Sequence, residues 1–153
     1  MERLHARVQI IWLGFLVVVA TVLAGIALAI DRFLTPIDVR LIAAGWIVLV
    51  VLAVVHTVLR YRKWRFELDG DSLFLVRGVV TRVDTSVPFV RVQHVDTQRR
   101  PWERALGLSS VVVFTAGSRG ADITIPGLRP ERATELRERL RDLAIESEGS
   151  DAV

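Results

Sequence analysis

The chain has no cysteine, and only one methionine and three histidines, among its 153 residues. Without cysteine there is no disulfide, thiolate nucleophile or sulfur ligand, although that absence leaves the redox compartment open. The histidines His5, His56 and His94 are far apart, and none has a second histidine at metal-ligand spacing, which argues against zinc chemistry. Glycines stand singly, so there is neither a dinucleotide-binding GxGxxG nor a phosphate-cradling loop. An excess of one charge is also missing: 20 basic residues face 17 acidic ones, the net charge is +3, and the basic residues are scattered. A nucleic-acid partner would usually demand a denser basic face. The aspartates cluster near turns, where they bond the backbone. Nothing meets the requirements of an active site, so the expectation is a protein that is not an enzyme and holds no cofactor or metal.

What is abundant is apolar: 52% of the residues are hydrophobic and the mean hydropathy is +0.42. Their distribution is uneven. Val8 to Ile30 carries no charged side chain, whereas charge is concentrated after Arg60. As a helix, the first run reaches roughly 34 Å, enough to cross a hydrocarbon core of about 30 Å with some tilt. A second run, Leu41 to Leu59, just spans. Both must be helical, because lipid offers an unpaired amide no partner. A cleaved leader is the competing reading of the first run, since Ala27-Leu28-Ala29 resembles a cleavage site. The run is longer than a usual signal core, however, and a second span follows at once.

Arg3 and Arg7 precede the first run, and Arg60, Arg62, Lys63 and Arg65 follow the second, against Arg32 and Arg40 between them. The positive-inside rule therefore places both termini in the cytoplasm. The small residues Ala20, Thr21, Ala24 and Gly25 suit close helix packing. His56, near the cytoplasmic end of its span, reads more readily as an interfacial residue than as a functional one.

From Trp64 the pattern changes to short β-like segments. Trp64 to Leu68 alternates apolar and charged residues, Asp69-Gly70-Asp71 makes a turn, and Ser72 to Arg77 completes a hairpin. Further strands are predicted over Val79 to Val87, Val90 to Thr97, Val111 to Phe114 and Asp122 to Ile125. Pro88 marks an edge or bulge, and Pro126-Gly127 a stop. Arg99 to Gly107 reads as a loop with a helical turn. In Val90 to Thr97, Val90 and Val92 share one face and Arg91 and Gln93 the other. After Pro130, Ala133, Leu136, Leu140 and Leu143 form one apolar stripe on a charged helix, which must cover the sheet core. The architecture expected is a two-helix transmembrane hairpin plus a mainly-β sandwich or open barrel capped by a C-terminal helix. Its parts are an N-terminus over 1–7, spans over 8–30 and 41–59, an external turn over 31–40, a domain over 60–145 and a polar tail over 146–153.

Four segments carry a resemblance: Val87 to Asp96 (VPFVRVQHVD), Pro101 to Leu108 (PWERALGL), Thr115-Ala116-Gly117 and Ile125-Pro126-Gly127-Leu128. Their order, with the preceding pair of spans, resembles the bacterial PH-domain membrane proteins of the YdbS-like, membrane-flanked family. The resemblance implies a PH-like domain tethered to the cytoplasmic membrane, often encoded beside a larger relative with several such domains. It supplies no ligand.

The polar residues Arg91, Gln93 and His94, with Arg99, Arg100 and Arg104, form the candidate binding set, because arginine forks match phosphate and carboxylate oxygens. Against this, Gln93 and His94 would simply satisfy backbone groups at a bulge, and Arg104 would pair with Asp96 or Glu103. The juxtamembrane group Arg60, Arg62, Lys63 and Arg65 signals topology first and lipid attraction second. The charged face of the terminal helix reads as solvated. The function expected is a membrane-anchored adaptor that binds a membrane protein partner, with anionic-lipid recognition as the alternative.

The topology is directly testable because single cysteines stand alone in this chain. An impermeant maleimide is expected to label Pro36→Cys in intact cells, and Glu138→Cys only after permeabilisation. The reverse pattern would place the domain outside.

Overall fold

A computed structural model describes residues 2–33, 36–116 and 122–150. They form two compact units: Gln9–Tyr61 is one, and the residues up to Val8 together with those from Arg62 onward are the other.

The first unit is a helical hairpin. Helix α1 runs Val8–Phe33 and α2 runs Val39–Lys63, and both are long and apolar enough to cross a membrane. Each helix extends beyond its apolar run, so Asp31, Arg32 and Arg40 are helical and not part of a ten-residue turn. The acids close the hairpin. Asp38 caps α2, its carbonyl accepting from the N–H groups of Leu41 and Ile42 and its carboxylate from that of Arg40. Asp31 accepts the N–H of Ile37 at 2.7 Å. Ala20 is buried on α1, and Ala53 and Thr57 on α2, while Trp46 donates its indole N–H to Thr21. The small residues thus serve packing within the hairpin, but Gly25 does not: a Cβ there would meet nothing. His56 is exposed and borders a shallow apolar groove of about 280 Å3.

The second unit bears out the expected domain: two three-stranded antiparallel sheets and a C-terminal helix. The first sheet, in the order β1-β2-β3, comprises Arg65–Asp69, Ser72–Arg77 and Val83–Pro88. The β1–β2 hairpin turns at Gly70, which has a positive φ of 47°. Leu73 and Leu75 of β2 point inward, whereas Phe74 is partly exposed, as the period of two requires. The second sheet, in the order β4-β5-β6, comprises Val92–Gln98, Ser109–Thr115 and Ile123–Leu128. Strand β5 is buried on both faces, Val111, Val112 and Val113 included. A short helix α3, Pro101–Ala105, joins β4 to β5, and α4 runs Pro130–Ser150. The stripe holds: Ala133, Leu136 and Leu140 are fully buried against β4, β5 and the turn before β4.

Several boundaries differ from the sequence expectation. The strand expected from Val79 starts at Val83, because Gly78, at φ +105°, turns the chain into a tight loop over 78–82. Phe89–Arg91 is a 3-10 turn, so Val90 is exposed while Val92 is buried, and the two do not share a face. Strand β6 continues through Pro126 and Gly127. The helix extends into the expected polar tail as far as Ser150, and the rest of that tail lies outside the described residues, as does Gly117.

The largest difference concerns residues 2–8, of which 2–7 were expected to belong to a separate terminus and Val8 to the first span. They build the domain. Glu2 pairs with Phe66 of β1 through two backbone hydrogen bonds of 2.7 and 3.1 Å, extending the first sheet. Arg132 of α4 holds the Glu2 carboxylate, and the His5 N–H donates to the Gly127 carbonyl at 2.8 Å. Leu4 and Val8 are buried. Gly127 has a φ of +66°, and a Cβ there would lie 2.6 Å from the Cβ of Val8. The Ile125-Pro126-Gly127-Leu128 segment is therefore a seat for Val8.

Gly127→Ala combines left-handed backbone strain with overpacking and is expected to cost roughly 2–4 kcal/mol. Gly70→Ala, where a Cβ meets nothing, should show the strain alone. Thermal unfolding of the full chain in detergent measures both, and equal losses would refute the role of Val8.

Candidate functional site

The register of β4 against β5 slips between Val92 and His94, leaving Gln93 as an extra residue in a bulge. The bulge re-aims the next side chain. The His94 ring sits against Phe114, with centroids 6.0 Å apart, and its Nε2 lies 2.8 Å from Asp96, its neighbour on the same face of the strand. His94 therefore partners a carboxylate, not a backbone group.

The same stretch forms one wall of a groove of about 570 Å3 whose other wall is the outer end of α4. Val92, Gln93, His94, Val95 and Asp96 all line it, opposite Arg137, Arg141, Ala144, Ile145 and Glu148. Successive side chains on a strand point to opposite faces. Five consecutive lining residues therefore mean that the groove runs along the strand's edge, where backbone N–H and C=O groups are presented. Among the described residues, β4 has a single strand neighbour, β5. Ile145 is 58% exposed at the groove and lies off the buried stripe. An apolar residue off the stripe is the signal in the sequence that marks this wall.

The six candidate residues do not converge. Gln93 and His94 line the groove, and Arg91 is exposed in the turn before β4. Arg99, Arg100 and Arg104 lie beyond the other end of that strand, roughly 20 Å away at 3.3 Å per residue. Around α3 the chemistry is structural. Glu103 is 4% exposed; its carboxylate accepts the Arg100 N–H at 2.8 Å and the Ser110 hydroxyl, so it closes the first turn of α3 and ties α3 to β5. Arg104 pairs with neither proposed acid: Glu103 points inward and Asp96 is held by His94. Arg7 donates to the Leu106 carbonyl at the end of α3, another bond from the N-terminal arm.

Of the juxtamembrane group, Arg60 lies over the Trp12 ring at 4.2 Å from its centroid. Arg62, Lys63 and Arg65 gather with Arg82 around a recess of about 370 Å3. Desolvation, then the charges of Arg129 and Arg7, hold the His5 imidazole below its ordinary value, and its Nδ1 accepts the Arg7 N–H. Hydrogen bonds to Glu2 and then Glu135 push the Arg132 guanidinium up. Among the described residues, no three histidine, aspartate or glutamate side chains converge as a metal site would need.

Two helices able to span a membrane, followed by paired antiparallel sheets and a closing C-terminal helix, define a membrane protein with a PH-like domain. The sequence matches the family described as bacterial PH domain over residues 8–144, and the chain belongs to that family. It is 34% identical over 85 residues to UPF0699 transmembrane protein YdbS of Bacillus subtilis (strain 168), an alignment covering 56% of this chain and 52% of that protein. The match thus spans about half the length of that relative. No solved structure matches the chain.

If the Pro101–Leu108 segment is structural, Glu103→Ala should destabilise the domain by about 2 kcal/mol through the unsatisfied groups it leaves. Arg99→Ala and Arg104→Ala, both exposed, should change stability by less than about 0.5 kcal/mol. Chemical denaturation of the full chain in detergent separates the two cases.

Proposed function

We propose that this chain is a non-catalytic, membrane-anchored adaptor whose PH-like domain faces the cytoplasm and binds an extended segment of a membrane protein partner. The observation that carries this reading is the open edge of β4 beside α4. A peptide strand laid along that edge gains main-chain hydrogen bonds, while side-chain pockets supply selectivity. The seven residues of β4 match such a segment in length. Ile145 and Ala144 offer an apolar contact, and Arg137 and Arg141 offer forks for an acid. The bulge at Gln93 fits a recognition edge, since bulges re-aim side chains beside binding sites. A larger relative with several PH-like domains is a candidate partner, and the arginine bias across the spans supports the cytoplasmic orientation.

Anionic-lipid recognition through Arg99, Arg100 and Arg104 is the second reading. What favours it is their shared exposure at the β4–α3 corner, with the Arg100 guanidinium 5.8 Å from the Trp102 ring centroid.

Panning a random peptide library against the full chain in nanodiscs tests the adaptor. Selected peptides are expected to lose at least about tenfold in affinity against Ile145→Asp with Arg141→Glu, as anchor residues do. An absence of selected peptides, or binders indifferent to both changes, would sink the reading.

A further inference from the structure

We infer that the recess bounded by Arg62, Lys63, Arg65 and Arg82 binds the phosphate of an anionic phospholipid headgroup. All four cations face one concavity of about 370 Å3, whose other lining residues are Val76 and Gly78, and no acid lines it. Asp84 lies outside the lining and engages Arg82 through Nε at 2.9 Å, an exposed pair that holds the guanidinium in place. A topology signal requires only charge along the sequence. It does not require Arg82, at the far end of the β2–β3 loop, to fold back beside Arg62 and Arg65.

Depth follows from the chain itself. Arg62 and Lys63 end α2 a few residues after Leu59, the last residue of the second apolar run, which is about 5 Å along a helix axis. Two of the four cations are thus held by α2 itself one helical turn beyond the apolar run, at the depth of headgroups. The loop adds a second, independent feature. Gly78, at φ +105°, folds the chain so tightly that a Cβ would collide with the Thr81 carbonyl, and Lys63 Nζ donates to the Val79 carbonyl at 2.8 Å. Between these restraints Val80 is thrust outward, 96% exposed, beside the basic recess. An apolar tip flanked by cations suits an interface with lipid on one side and phosphate on the other, each cation adding attraction to an anionic leaflet. A soluble phosphate would satisfy the arginines but leave Val80 in water.

This site stands independently of the groove beside β4. Native mass spectrometry of the full chain in neutral detergent, titrated with phosphatidylglycerol or phosphatidylcholine, reads it. Wild type should retain phosphatidylglycerol with at least about fivefold preference, and Arg65→Gln with Arg82→Gln should abolish most of it. Val80→Asp, at a position 96% exposed, should weaken it as well. Arg139→Gln, an exposed cation of α4 outside both the groove and the recess, should leave it unchanged. Equal retention of both lipids by wild type, or preference surviving in the Arg65/Arg82 variant, would overturn the assignment. Inorganic phosphate that displaced phosphatidylglycerol at low millimolar concentration would also overturn it, marking a site for a soluble anion.

Discussion

Val8 against Gly127 is the contact on which the β-rich unit depends. Residues 2–7 and Val8, the first residue of α1, complete a domain whose remainder follows α2, so the hairpin is an insertion into the domain's sequence. The arm is held at intervals: a backbone pair at Phe66, an ion pair at Arg132, a hydrogen bond at Gly127 and another at Leu106. Burying Leu4 and Val8 is worth about 1.5–3 kcal/mol each, a large share of the net stability of a small domain. A fragment beginning at Trp64 would leave the edge of β1 unpaired and the glycine seat empty.

The segments that carry the family resemblance find physical roles in this arrangement. Glu103 closes α3 and reaches Ser110 of β5, Gly127 makes room for Val8, and Ala116 donates its N–H to the Arg91 carbonyl. They hold corners of the fold in place. The proposed binding surfaces share one of these segments, Val92 to Asp96 along β4, and otherwise draw on α4 and on the loop after Gly78, where sequence patterning looked ordinary.

Much of the fold was legible because it rests on local periodicity. The two apolar runs, the hairpin around Gly70 and the stripe Ala133-Leu136-Leu140 each declare themselves within one element. The strand expected from Val79 failed because a valine pair has strand propensity wherever it stands; only the fold of the Gly78 loop left Val80 in solvent. The candidate arginines fall into two groups for a related reason. Arg91 and Arg99 look close along the sequence, but an extended strand carries neighbours apart at over 3 Å per residue.

By itself, the sequence determined two candidate spans and a mainly-β domain closed by a helix, since hydropathy, turn chemistry and amphipathic period act over a few residues at a time, while the PH-like character came from the resemblance of four segments to a family. Only the tertiary structure decided that residues 2–8 belong to the domain, that Gly127 is a seat, that Arg82 joins Arg62 and Arg65, and that the edge of β4 opens beside Ile145. Each of these is a contact between segments distant in the chain, set by how sheets and helix close on one core, and no local pattern encodes which distant surface will arrive.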